Sequence, residues 1–304
     1  LEEPEALEIL QHAYQRGINT WDTADVYSYG RSEEIVGKAL KKVQIPRKRV
    51  VILSKCFFGL EKGSAESAMG LKNDGEFVNR IGLSRKHILD AVEASVKRLG
   101  TYLDVLWIHR LDRETPKEEI MRALNDGIEW GWVRYIGASS MAAWEFQQLR
   151  NIAERHGWHK FVAMENLYNL LYREEEREMI PYCQNTGVGL TLGTHWHLGR
   201  SRDHGMGIVQ SGPEMTRFVA CYLAREKKLT RSLSTAWMKL PKKKGILMAQ
   251  VIAWLLSKNY VTPILGLGKT SRVDEAVEAV RVKLTNEEIA YLEEPYQPKR
   301  VTGY

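Results

Sequence analysis

The stretch that decides the fold runs from Gly17 to Glu34 and reads G-I-N-T-W-D-T-A-D-V-Y-S-Y-G-R-S-E-E. A helix stops at Gly17, a short apolar strand ends at Asp22, and a polar turn leads into a helix for which Ser32 is the expected cap. A carboxylate at the end of a strand and a phenol five residues later, Tyr27, reach the same mouth. Two further apolar runs end in cations: Val50 to Lys55 (V-V-I-L-S-K) and Tyr102 to His109 (Y-L-D-V-L-W-I-H). Asp22, Tyr27, Lys55 and His109 therefore stand at the C-terminal ends of successive strands. In a (β/α)8 barrel that is the rim where chemistry is done.

The same alternation continues along the chain. Helices are expected over Glu2 to Arg16, Glu33 to Lys42, Ser84 to Gly100, Thr115 to Glu129, Ala143 to His156, Tyr172 to Thr186, Ile246 to Lys258 and Ser271 to Val280. Strands are expected over Ile18 to Asp22, Val50 to Lys55, Tyr102 to His109, Trp132 to Ala138 and Phe161 to Glu165, from Gly189, and over Pro263 to Leu267. Thr115 to Glu118, with Pro116 in the first turn, and Thr285 to Glu288 read as capping boxes. Strands alternating with helices of this length make βαβ units and a parallel sheet. The long polar loop from Cys56 to Leu83 is of a length usually reserved for function.

Four motifs recur in order: W-D-T-A-D-V-Y (Trp21 to Tyr27), S-K-C (Ser54 to Cys56), L-W-I-H-R (Leu106 to Arg110) and V-R-Y-I-G-A-S-S (Val133 to Ser140). Together they resemble the aldo-keto reductases, most of all the fungal and microbial, aryl-alcohol dehydrogenase-like branch. The likeness covers nearly the whole chain, residues 1–304, as one domain. It implies a (β/α)8 TIM barrel, of which seven strands are found here. The N-terminal hairpin and first strand are the parts expected to be lacking, either because the chain is incomplete or because the protein is naturally truncated, which would leave unpaired edges at the two end strands.

The resemblance also implies a reaction: reduction of an aldehyde or ketone to an alcohol, with hydride from NADPH. Carbonyl reduction needs a proton donor, and a free phenol has a pKa of about 10. Lys55 is expected to pull Tyr27 down, Asp22 to hold Lys55 by a charge-assisted hydrogen bond, and His109 to orient the carbonyl oxygen. Taken singly, each residue has a duller reading: Asp22 as a helix cap, Tyr27 as a surface aromatic, Lys55 as a solvated strand end, His109 as a core histidine. By the resemblance, Ser139, Ser140 and Glu165 meet the nicotinamide carboxamide. Glu165 stands where the family usually carries glutamine, and an ionised glutamate accepts hydrogen bonds but donates none. Lys269, Thr270 and Arg272 precede a helix with Glu275 in its first turn. Cations at a helix N-terminus favour a 2′-phosphate, and so NADPH over NADH. The resemblance gives Arg272 and Glu275 contacts with the adenine end. The rival reading is a non-catalytic member of the same fold, either a regulatory subunit or a relic.

One segment departs from the family. After Leu190 the pattern continues as P-W-Y-P-L-A, whereas this chain reads T-L-G-T-H-W-H-L-G from Thr191 to Gly199. The codons ACC CTT GGT ACC CAC TGG CAC CTG GGA encode those nine residues, and read from the third base they give P-W-Y-P-L-A-P-G. A shift of reading frame or a misplaced splice junction, with the normal frame recovered by about Lys242, is the expectation. Sequencing the transcript across the segment tests it: an in-frame message with no neighbouring insertion or deletion counts against it. On that reading His195, His197, Asp203 and His204 are accidental and form no metal site. Trp132, where the family usually has lysine, is expected to pack on the barrel exterior.

Bulk properties are those expected of a soluble globular protein. The 304 residues are 44% hydrophobic and 27% charged, as in a globular protein. No apolar run reaches the roughly 20 residues that cross a bilayer, and no basic leader is present, so the expected setting is the cytosol. Cys56, Cys183 and Cys221 are too scattered for a disulfide framework or a zinc site. The net charge of +6 comes from basic residues interspersed with acidic ones, which argues against a nucleic-acid partner and fits an anionic cofactor.

Overall fold

The computed structural model describes residues 1–60, 73–193 and 247–301. Helix α1 (Glu3–Gln15) leads into β1 (Thr20–Asp22), α2 (Arg31–Lys42), β2 (Val51–Cys56), α3 (Arg85–Leu99) and β3 (Leu103–Ile108). Then follow α4 (Lys117–Glu129), β4 (Val133–Ser139), α5 (Ala143–His156), β5 (Ala163–Leu167), α6 (Met179–Thr186) and β6 (Gly189–Gly193). The last elements are α7 (Leu247–Ser257), β7 (Val261–Ile264), α8 (Thr270–Ala279) and α9 (Asn286–Glu293). All the strand pairings are parallel, in the order β1 to β7. This is an α/β fold, a nearly closed barrel of the (β/α)8 type. Seven strands, the number read from the sequence, are present among the described residues.

The helical layer closes where the sheet ladder stops. Helix α1 packs against both α2 and α8. Arg16 reaches Asp274 at 2.8 Å and Glu278 at 3.2 Å, while Ile9 and Ala13 bury against Val273, Ala276, Ala279, Ile252 and Leu267. The main core lies between sheet and helices, and inside the barrel one close fit stands out. Lys55, Trp107, Gly137 and Ala163 are register partners across β2 to β5. Trp107 is fully buried, and a Cβ added at Gly137 would lie 2.3 Å from its Cε3. The indole occupies the place of the missing side chain.

Most helix ends obey the sequence. Ser84 accepts from the His87 amide at 3.2 Å, Gly100 ends α3 in the left-handed region, and Thr285 with Glu288 forms the expected capping box. Two expected caps do not form. Helix α2 starts at Arg31 behind Gly30, and the Ser32 hydroxyl instead accepts from Thr23 Oγ1 at 2.7 Å. Helix α4 starts behind Pro116, because Thr115 is taken by Asp112, whose carboxylate accepts its hydroxyl at 2.7 Å and its amide at 3.2 Å. Helix α6 begins at Met179 rather than Tyr172. The residues before it form a turn, in which Asn169 Oδ1 accepts from the Leu171 and Tyr172 amides, and a short 3-10 helix Glu174–Glu176. Strand β5 runs on to Leu167, which puts Glu165 in the middle of the strand.

Candidate active site

The mouth of the barrel is built from the ends of β1, β2 and β3. Asp22 is the last residue of β1, Lys55 the penultimate residue of β2, and His109 follows β3. The ladders continue past the strands: the Asp25 amide donates to the Lys55 carbonyl at 3.2 Å, and the His109 amide to the Cys56 carbonyl at 3.0 Å. Tyr27 is delivered by the turn after β1. Its amide donates to the Ala24 carbonyl at 3.2 Å, and Ser28, Tyr29 and Gly30 then take φ values of 49°, 54° and 84°. Three consecutive left-handed residues, two of them not glycine, are a costly conformation of the kind that clusters at functional sites. They turn the chain into α2 and leave the phenol side chain 7% exposed.

The four residues predicted to form the reaction centre come together. Lys55, 1% exposed, donates to Asp22 Oδ2 and to the Thr23 carbonyl at 3.2 Å, and its Nζ lies 5.4 Å from the centroid of the Tyr27 ring. The Tyr27 and His109 rings meet edge to face at 5.9 Å. The duller readings of Tyr27 as a surface aromatic and Lys55 as a solvated strand end do not hold, since both are buried.

Electrostatics at this cluster depart from the simplest expectation. Burial works to discharge Lys55, but Asp22 and Glu165 outweigh it and hold the ammonium above its ordinary range. For Tyr27, burial raises the phenol above its ordinary value, Lys55 pulls it down, and Asp22 and Glu165 push it up again. The phenol thus keeps its proton at neutral pH, and Lys55 limits the rise without reversing it.

The residues predicted to hold a cofactor lie at the same rim. Ser139 ends β4 and is the register partner of Glu165; Ser140, with φ of 51°, donates its amide to the Glu165 carbonyl at 3.1 Å. Glu165 Oε2 comes within 3.6 Å of Lys55 Nζ. Lys269 and Thr270 open α8, and Arg272 pairs with Glu275 at 2.9 Å within its first turns. These residues suit a dinucleotide: hydroxyls and a strained turn beside the reaction centre, and cations at a helix N-terminus. His195, His197, Asp203 and His204 lie outside the described residues, as does most of the altered segment. Among the described residues no cluster of His, Cys, Asp or Glu could hold a metal ion.

Three features escaped sequence reasoning. Phe58, on the loop after β2, packs edge to face on His109 at 5.1 Å and clusters with Ala24, Val26 and Tyr27. Arg110 donates to the His109 carbonyl at 2.7 Å and acts on both Tyr27 and Glu165. Beneath the mouth, fully buried Glu33 accepts from Ser54 at 2.5 Å and from Arg98 at 2.6 Å. Nearby Asp25, buried and repelled by Glu33, is pushed well above the usual carboxylate range. Arg110, inside L-W-I-H-R, Asp25, inside W-D-T-A-D-V-Y, and Ser54, inside S-K-C, lie within quoted motifs; Phe58, Glu33 and Arg98 carry no such local signal.

Comparison with known proteins shows the family and the fold. The Aldo/keto reductase family profile matches residues 1–297. The chain is 56% identical over 318 residues to versiconal hemiacetal acetate reductase of Aspergillus parasiticus, covering 99% of this chain and 89% of that protein. It is 48% identical over 313 residues to an aryl-alcohol dehydrogenase-like protein of Schizosaccharomyces pombe, covering 99% and 88%. The crystal structure of the thermostable aldo-keto reductase Tm1743, solved with the inhibitor epalrestat, superposes with a TM-score of 0.71 at 25% identity, over 96% of this chain and 88% of that one. Among the described residues no helix is long and apolar enough to cross a membrane. The chain belongs to the aldo/keto reductase family, oxidoreductases that act on small-molecule carbonyl compounds.

Proposed function

We propose that the protein reduces an aldehyde or ketone to an alcohol with NADPH, reversibly, with Tyr27 as the proton donor. The observation that carries this reading is the convergence of Asp22, Tyr27, Lys55 and His109 in one buried mouth, with Lys55 bound to Asp22 and its Nζ 5.4 Å from the centroid of the phenol ring. NADPH supplies the hydride. Ser139, Ser140 and Glu165 hold its carboxamide, while Lys269, Thr270, Arg272 and Glu275 meet its phosphate and adenine end.

The chain's own groups account for the rest. His109 orients the carbonyl oxygen toward the phenol. As negative charge grows on that oxygen, Tyr27 gives up its proton; a phenol with a raised pKa is still a far stronger acid than the alcohol being formed. Lys55, kept charged by its carboxylates, stabilises the phenolate left behind. Phe58 beside His109 gives the mouth an aromatic wall, which favours an aromatic aldehyde or a planar secondary-metabolite ketone as substrate. A relative named for reducing versiconal hemiacetal acetate supports the same direction. A cytosolic setting suits two buried free thiols, Cys56 and Cys183.

The test is NADPH binding by fluorescence titration, followed by NADPH consumption on addition of an aromatic aldehyde. Tyr27→Phe is expected to bind NADPH unchanged and to lose at least about 100-fold in turnover. A folded wild-type protein that neither binds nor consumes NADPH refutes the reading in favour of a non-catalytic relic of the fold.

A further inference from the structure

Lys55 is shared by two carboxylates. Asp22 binds it directly, and Glu165 Oε2 stands 3.6 Å away with no hydrogen-bond donor in reach among the described residues. Glu165 is only 14% exposed. Within ion-pair distance, then, one ammonium faces two negative charges when both acids are ionised. A buried carboxylate with an unmatched oxygen is relieved either by taking up a proton or by a positive charge brought against it.

On the reading given above, Ser139 and Ser140 beside Glu165 hold the nicotinamide carboxamide. The oxidised nicotinamide ring is cationic and the reduced ring is neutral. We propose that Glu165 is a specificity-determining residue that makes this site prefer NADP+ to NADPH when its carboxylate is ionised, and that NADP+ binding to the protonated acid expels that proton. The inference rests on the proposed reductase reading.

The groups that face Glu165 permit this. Burial, then the charge of Asp22, raise its pKa to about 7, while Lys55 and Arg110 oppose them. Tyr27 keeps its proton, and the register neighbours Ser139 on β4 and Thr191 on β6 do not titrate near neutrality. His109 is in edge-to-face ring contact with the Tyr27 phenol. The switch therefore falls where a carboxylate would not ordinarily titrate.

The experiment measures Kd for NADP+ and for NADPH separately, by fluorescence titration of the full chain between pH 5.5 and 8.5. Calorimetry in two buffers of different ionisation enthalpy counts the protons released. The 2′-phosphate and pyrophosphate are common to both forms, so the ratio of the two constants isolates the ring charge. In the wild type the preference for NADP+ is expected to grow by at least about tenfold across this range, with proton release on NADP+ binding near pH 7. Glu165→Gln is expected to flatten the ratio and to release no proton, and Glu165→Asp to retain part of both. A Glu165→Gln variant whose ratio tracks the wild type at every pH overturns the inference, as does a wild-type ratio that does not change with pH. Failure of the folded wild type to bind either form refutes the reductase reading itself, and the inference with it.

Discussion

Gly137→Ala adds a single methyl group at the tightest point of the barrel interior. The new Cβ would stand 2.3 Å from Trp107 Cε3, 2.4 Å from Cζ3 and 3.0 Å from Cδ2. Carbon atoms in contact need about 3.5 Å, so the indole must retreat by roughly 1.2 Å. It has nowhere to go: Trp107 is 1% exposed and bonded into the sheet between β2 and β4. Overpacking of this kind costs about 1–3 kcal/mol, and two ring atoms met so closely put the cost near the upper figure, about 3 kcal/mol. Urea denaturation with unchanged m-value reads the loss, and for a chain of this size it corresponds to a fall in Tm of roughly 6 °C. Trp107→Phe in the same chain should return part of it, so that the double variant is less destabilised than the sum of the singles. A Gly137→Ala protein within about 0.5 kcal/mol of wild type, or a strictly additive double variant, refutes the interlock.

Other outcomes follow from the buried charges and the caps. Arg98→Ala strands the fully buried Glu33 carboxylate and should cost about 3–5 kcal/mol, with Glu33→Gln in the same background recovering part of the loss by urea titration. Glu165 titrates at about 7 in the folded protein against 4.5 ordinarily, so the folded state holds the extra proton; stability from this group falls as pH rises between those values, by up to about 3 kcal/mol. Glu165→Gln should remove that slope in a pH series of denaturation midpoints, and an unchanged slope counts against the assignment. Thr285→Ala removes the α9 cap and should cost about 1 kcal/mol, whereas Thr115→Ala at α4 leaves the start of that helix without a lost cap.

The helices and strands were legible because their signals are local: apolar periodicity, Gly100 after α3, Thr285 before α9. Ser32 and Thr115 misled because a hydroxyl at a helix start has a choice of partners. Here Thr23 and Asp112, fixed by the tertiary fold, compete successfully for them. The convergence of Asp22, Tyr27, Lys55 and His109 was legible because they lie at the ends of successive strands, and strand ends can be counted. Phe58 against His109 and Arg98 against Glu33 could not be read, since 51 and 65 residues separate the partners and nothing periodic links them. Asp22 and Lys55 are also far apart in sequence, but the strand-end rule bridges that distance. Glu165 stands out in the sequence as a departure from glutamine, but its pairing with Lys55 joins residues 110 positions apart and has no local signal.

The left-handed run Ser28 to Gly30 separates where the phenol sits from what it is. The main chain sets the direction from which residue 27 enters the mouth, through torsions that few residues tolerate, and the side chain brings the chemistry. Exchanging Tyr27 thus changes the group presented and leaves the path of the backbone intact. A β-branched residue at 28 or 29 should do the reverse, displacing an unaltered phenol from an unaltered lysine. The loop is therefore a place where the alignment of the phenol can be altered while Asp22, Tyr27, Lys55 and His109 themselves stay the same.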